Sequence, residues 1–300
     1  MTSEIASTGS DSAPIGVIAG SGLYELFGAD SPSRRIDTPY GPTSAPITLG
    51  RIADRGVAFL PRHGIGHSVP PHRINYRANI WALKSLGVRA LVTFSAVGAL
   101  QPECAPGRFV LTDQIIDRTH GRPDTFFDDE VLSVTGVQHL SAAYPFCPQL
   151  RKAATVALTQ DGVDFRPSGT VVVIQGPRFS TAAESKWFRA SGADTVNMTQ
   201  YPETVLAAEL GIGVVNLSYV TDSDAGAADS AADSAAYEAG SGPVDVVHHQ
   251  LVLQRMADAQ PRIKAAIAAL VKAIDPEYQP SVSIGADAVA AVLAQPVIAS

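Results

Sequence analysis

Only two cysteines occur in the 300 residues, Cys104 and Cys147. Their spacing fits neither a disulfide framework nor a zinc site, and they suit a reducing, cytoplasmic setting. No block of Lys or Arg is present, and the net charge is −7. That argues against tight binding to a nucleic-acid backbone, although a local basic site can still hold a small anion. Aromatic residues make up 7% of the chain and are scattered, so they offer no stacking platform for nucleic acid. No uninterrupted apolar run reaches membrane-spanning length. The opening "MTSEIASTGSDSAP" lacks both a basic region and an apolar stretch and is not read as a signal peptide. Neither an internal repeat nor an inter-domain linker is evident.

What is present is core material: 46% of the residues are hydrophobic, enough for one substantial core. Residues 1–13 are small and polar and are expected to be a disordered tail. Buried strands are expected at "PIGVIAG", "SAPITLGRI", "RGVAFLPRHG", "VRALVTFSAVGAL", "GTVVVIQG", "ADTVNMT" and "IGVVNLSYVT". "RFVLTDQIIDRTHGRPDTFFDDE" reads as a strand and then a polar loop. Helical spacing marks "INYRANIWALKSLG", ending at Gly87, then "CPQLRKAATVALTQDG", "STAAESKWFRASG" and "PETVLAAELG". Residues 224–242 are acidic and low in complexity, a mobile loop or marginal helix. A long helix follows, expected to bend or break at Pro261. The main domain is expected over residues 14–275, with a tail at 276–300. Strands alternating with helices indicate a single three-layer α/β domain on a largely buried sheet.

Several strands end in small or polar residues. "GVIAGSGLYELFG" is a strand, a Gly-rich turn and an expected helix, which would aim backbone N–H groups at an anion. Glu25 stands where a dinucleotide fingerprint needs its third Gly. A tight turn explains the glycines, but not Ser21 between them. "PRHGIGH" ends a strand with Arg62 and His63, and Arg suits bidentate phosphate recognition. "FSAVGAL" again ends a strand in small residues. "NMTQYPE" places Thr199 before a helix, where a capping role competes with a binding one. "SYVTDSDAG" ends an apolar strand in two carboxylates, Asp222 and Asp224. Ligands collect at such strand ends in open α/β sheets, and these tips describe an oxyanion site. His67, His72, His248 and His249 read as solvated surface histidines. Asp117, Arg118 and Arg122 read as an ion-pair cluster shaping a loop. No metal set stands out.

In this order, "GVIAGSGL", "PRHGIGHSVPPHRINYRANIWALKSLG", "SAVGAL", "DQIIDRTHGRP", "PFCP", "QGPRFSTAAESKWFRASGADTVNMT", "PETVLAAELGI" and "VTDSD" span residues 14–226 almost continuously. They resemble the methylthioadenosine phosphorylase family of trimeric purine nucleoside phosphorylases. The resemblance implies a mixed, partly barrel-like sheet flanked by helices, a homotrimer, and no cofactor, with inorganic phosphate as co-substrate. It implies phosphate binding by Ser21, Arg62, His63, Ser95, Ala96 and Thr199, with Met198 lining the ribose pocket. Asp222 and Asp224 would face the base, Asp222 as the favoured proton donor to purine N7, and residues 224–242 would form a lid. The implied reaction splits a purine nucleoside with phosphate through an oxocarbenium-like transition state.

The 6-oxopurine enzymes of the same superfamily carry Glu where Ser180 stands and Asn where Asp222 stands. A Glu carboxylate accepts the N1 proton of a 6-oxopurine but would face adenine N1 lone pair to lone pair. Ser180 with Asp222 therefore implies a 6-aminopurine. Those enzymes also place a His near the 5′-hydroxyl, where alignment puts Val244, or His248 after a shift of four residues. Val244 implies an apolar 5′-substituent such as methylthio. The competing readings are a 6-oxopurine or broad-specificity adenosine phosphorylase, a nucleotide-dependent oxidoreductase and a non-catalytic purine binder.

Overall fold

The computed structural model describes residues 14–28, 30–225 and 249–298. The expected tail at 1–13 and all but the first two residues of 224–242 lie outside the described residues, as do Val244 and His248. Eleven strands form one mixed sheet. Its path runs β2 (Ser33–Arg34), β3 (Ile47–Ile52), β4 (Arg55–Pro61), β1 (Ile15–Ala19), β5 (Ala90–Ala99), β10 (Thr195–Asn197), β9 (Thr170–Ile174) and β7 (Gln114–Arg118). A second arm leaves β5 through β11 (Gly213–Ser223), β6 (Phe109–Thr112) and β8 (Phe165–Arg166). The sheet thus branches at β5.

Strands β4, β1, β5 and β11 are mutually parallel and apolar on both faces, as parallel strands covered by helices must be. Val17, Val92 and Leu217 pack with Leu150 and Leu158 of α3 (Pro148–Gln160) and with Met256 and Ile263 of α6 (His249–Ala273). On the other face, Ile18, Leu60 and Val214 pack with α1 (Tyr76–Ser85) and α5 (Gln200–Glu209). The α1 helix starts where the Asn75 side chain accepts from the Ala78 N–H at 3.1 Å. Just beyond its end, Gly87 has φ of 85°, a conformation that favours glycine. The α4 helix (Ala182–Ala190) opens with a capping box between Thr181 and Glu184.

Three expectations are corrected. No helix follows the Gly-rich turn: residues 20–28 are turns and bends. Leu23 is drawn into the core, and Leu26 and Phe27 pack against it, so the i, i+3, i+4 spacing of a helical face is met here by an irregular segment. The segment read as strand then loop is two strands and the short helix α2 (Asp129–Thr135). Asp113 turns the chain between the sheet's two arms, its side chain accepting from Gly169 N at 2.9 Å. The α6 helix continues through Pro261 as one element. Losing one backbone hydrogen bond there is offset by an apolar face buried on both sides of the proline, from Val252 to Leu270. In the C-terminal segment, α7 (Ala286–Leu293) docks where Trp81 Nε1 donates to Val292 O at 3.1 Å.

Candidate active site

The cavity sits in a split of the sheet. On one edge of β5, Phe94 is the last residue opposite β1, paired with Ala19. Further along the same strand, Gly98 pairs with Val196 of the antiparallel β10. Between them, Ser95–Val97 have no strand partner on that edge. This is a topological switch point, where open sheets hold ligands. The resulting cavity is about 350 Å³, within the usual range for small-molecule sites. It is lined by ten of the eleven residues singled out in the sequence: Ser21, Arg62, His63, Ser95, Ala96, Ser180, Met198, Thr199, Asp222 and Asp224. Val244 lies outside the described residues.

One end gathers donors. Ser21 comes from the tip of β1, Arg62 and His63 from the tip of β4, Ser95 from β5, and Thr199 from the turn into α5. Asn216 Nδ2 donates to Ser95 Oγ from behind, and Asn197 Nδ2 to Thr199 Oγ1, each at 3.3 Å. Each hydroxyl already accepts, so its proton is left to donate. Thr199 makes no side-chain cap bond to α5, which removes the capping explanation for it. Gly20 has no side chain because a Cβ there would stand 2.9 Å from Arg62 Nη1. The expected bidentate use of Arg62 on a ligand is corrected in part. Its Nε and Nη2 donate to the two oxygens of Glu203 at 2.7 and 2.6 Å, and Nη1 to Phe94 O at 2.9 Å. Only the remaining Nη hydrogens can reach an anion.

His63 Nδ1 lies 2.9 Å from the Val69 carbonyl. A carbonyl only accepts, so Nδ1 carries the proton there and Nε2 is bare in the neutral ring. Burial, helped by Arg62 and His67, pushes its pKa down to about 3, so the ring is neutral at physiological pH.

The other end gathers carboxylates. Strand β11 is in register with β5 up to Val220 opposite Val97, then shifts so that Asp222 faces Gly98. Thr221 is the extra residue of this bulge, a device that re-aims side chains beside functional sites. Its hydroxyl lies 2.6 Å from Asp222 Oδ1 and 3.3 Å from Val97 O. Asp222 is thus a strand residue and not a helix cap. Asp224 follows, its N–H donating to Ala99 O at 2.9 Å. Burial raises the Asp224 pKa, opposed by Ser185, Ser180 and the Ala225 N–H. Neither of those hydroxyls, nor Asp224 Oδ2, has a closed hydrogen bond. A buried carboxyl of this kind can hold a proton or accept from a polar ligand.

Two sets of residues read as surface features belong to the site or its frame. His67 is half-buried and stacks on His63 at 4.3 Å, with Tyr24 Oη 3.1 Å from its Nδ1. His249 lies 5.1 Å from His67, and both line the cavity. Their neighbours come from distant segments, so local sequence gave no reason to place them at the cavity, although His249 is exposed as expected of a surface histidine. Arg122 is not in an ion-pair cluster: its Nη1 donates to Tyr201 O at 2.6 Å and Met198 O at 3.0 Å, and its Nη2 to Gln175 O at 2.9 Å. It braces the Met198–Thr199 turn against the end of β9. Glu203 was missed. Its signal was an acid inside the apolar run "PETVLAA", on a helix with most of its residues buried. Among the described residues, no group of three or more His, Cys, Asp or Glu is placed to hold a metal. None of the described helices is long and apolar enough to cross a membrane.

Residues 14–272 match the model of the Phosphorylase superfamily. Over 213 residues the chain is 53% identical to the S-methyl-5′-thioadenosine phosphorylase of Mycolicibacterium smegmatis, covering 71% of this chain and 78% of that one. It is 46% identical over 267 residues to the purine nucleoside phosphorylase of Streptomyces coelicolor, covering 87% and 89%. Among solved structures, the methylthioadenosine phosphorylase from Schistosoma mansoni in complex with adenine superposes with a TM-score of 0.78 at 33% identity, over 87% of this chain and 91% of that one.

Proposed function

The chain belongs to the phosphorylase superfamily, and from that premise we propose that it phosphorolyses 5′-methylthioadenosine to adenine and 5-methylthioribose 1-phosphate. The observation that carries this reading is the polarity of the cavity. Hydroxyl and N–H donors from Ser21, Arg62, Ser95 and Thr199 line it together with Asp222 and Asp224, and the β5–β11 register sets Asp222 opposite Gly98, three residues beyond Ser95. Phosphate belongs at the donor end, with the Ala96 backbone beside it, and the purine at the carboxylate end. Breaking the glycosidic bond leaves positive charge on the sugar and negative charge on the departing base. Phosphate stabilises the first and then captures C1′. Asp222 accepts from the exocyclic amine and, when protonated, donates to N7 as the base leaves. Ser180 supports the choice of an aminopurine, because no carboxylate stands at that position to receive an N1 proton. Met198 faces the ribose. Neutral His63 offers Nε2 as an acceptor to a protonated phosphate oxygen.

A second reading concerns the sugar. His249, at the start of α6 and in the cavity, offers a polar partner where Val244 was expected to supply an apolar one. That favours adenosine as an additional substrate. We place the activity in residues 14–275, in a cytoplasmic homotrimer serving purine and methionine salvage, with inorganic phosphate as co-substrate and no cofactor. The family resemblance supports that placement. The test is base release from methylthioadenosine, adenosine and inosine, with and without phosphate. Adenine release that requires phosphate is expected, with inosine poorest. Release without phosphate, or inosine turned over best, defeats the reading.

A further inference from the structure

Glu203 is 1% exposed and so is Arg62. The two form a paired fork of charged hydrogen bonds inside the protein. A guanidinium has five N–H groups. Glu203 and the Phe94 carbonyl take three of them, leaving one on each Nη. Among the described residues that line the cavity, Arg62 is the only Lys or Arg. The segment 226–248 contains neither residue type. His63 is held neutral there, and burial beside His249 lowers the pKa of His67. The charge that Arg62 brings to the donor end is therefore offset within its own pair.

We infer that Glu203 is the counter-ion that keeps the oxyanion end of this cavity near neutral, so that bound phosphate is held by O–H and N–H donors and keeps its negative charge for the cation forming on the sugar. The inference rests on the phosphorolysis reading and assigns Glu203 a positioning and charge-setting role, since it touches Arg62 and not the substrate. Only interactions stronger in the transition state than in the ground state accelerate the reaction. An unpaired Arg62 would hold phosphate tightly before the reaction begins. It would also neutralise the charge on which the oxocarbenium depends. Arg62 paired with Glu203 still orients phosphate through two N–H groups but claims less of its charge.

The test is Glu203→Gln in the full chain. Removing the carboxylate leaves Arg62 buried and underpaired, a state that an anionic ligand relieves. Phosphate is expected to bind roughly tenfold more tightly in the absence of nucleoside, while kcat falls about tenfold or more, each tenfold step being 1.4 kcal/mol. The KM for nucleoside is expected to stay near its original value. Glu203→Asp, which keeps the charge, is expected to lie closer to the unmodified protein in phosphate affinity. A merely structural role for Glu203 would weaken phosphate binding and turnover together, and that outcome, or unchanged phosphate affinity in a folded variant, overturns the inference. Should Glu203→Gln not fold, the unmodified protein decides. Phosphate affinity at a near-neutral site is expected to fall only weakly with ionic strength, and a steep fall overturns the inference. Failure of the unmodified protein to bind phosphate would defeat the phosphorolysis reading itself, a result distinct from either outcome at Glu203.

Discussion

Gly98→Ala isolates the placement of the two carboxylates from their chemistry. A Cβ at Gly98 would stand 3.1 Å from Asp222 Oδ2, 3.2 Å from Val196 Cγ1 and 3.3 Å from Asp224 Cβ. Carbon contacts are optimal at about 3.5–4.0 Å, so each neighbour must yield a few tenths of an ångström. Val196 is pinned between β9 and β5, and the Asp224 backbone is tied to Ala99 O. The Asp222 carboxylate is the group left to move. Overpacking of this kind costs roughly 1–3 kcal/mol. Replacing a strand Gly with Ala returns about 0.5–1 kcal/mol. The net loss is then between roughly zero and 2.5 kcal/mol, a Tm drop below about 10 °C for a domain of this size. Activity should suffer more. A misplacement of about 1 Å can cost about a hundredfold, so a few tenths should lower kcat about tenfold, or roughly 1.4 kcal/mol of barrier. The assay is phosphate-dependent adenine release, with the phosphate KM as internal control, because Ser21, Arg62 and Thr199 lie at the other end. Full turnover in a folded Gly98→Ala protein would refute the role given to Asp222 and its setting. A raised phosphate KM would mean that β5 itself had shifted.

Asp222→Asn keeps the shape of the side chain and its contact with Thr221 but removes the transferable proton. Turnover of methylthioadenosine should fall by about a hundredfold or more, and near-normal turnover would remove Asp222 from the chemistry. Asp224 has a raised pKa in the fold, chiefly from burial, so its ionised form destabilises the native state at neutral pH. That penalty fades as pH falls through the raised pKa and is gone below the ordinary Asp value of about 3.9. Asp224→Asn should therefore raise Tm at pH 7 to 8 and lose the advantage in acid; equal Tm profiles across pH would contradict this. His249→Val should shift the ratio of specificity constants toward methylthioadenosine over adenosine by roughly tenfold, since a buried hydroxyl without a partner costs about 1–3 kcal/mol. An unchanged ratio would place His249 away from the 5′-substituent.

The sequence by itself determined the strand tips and the residues standing on them. An apolar run and the polar residue that ends it are contiguous in the chain, so Ser21, Arg62, Ser95 and Asp222 were legible one strand at a time. Capping signals were equally local: Asn75, Gly87 and the Thr181–Glu184 box each act within a few residues. The Gly-rich turn after β1 misled because glycines at a turn look alike whether a helix follows or not. The apolar residues that follow, Leu23, Leu26 and Phe27, stand at helical spacing, so the local pattern could not decide between them. Pro261 did not break α6, since the burial that carries the helix past it is tertiary. The tertiary structure alone decided what brings the tips together and what tunes them. Glu203 reaches Arg62 across 141 residues of chain, and His249 reaches His67 from the far side of β11. The bulge at Thr221 and the space at Gly98 exist only once β11 lies beside β5. Local sequence records where a chemical group can stand, but charge compensation, burial and register depend on neighbours that only folding supplies.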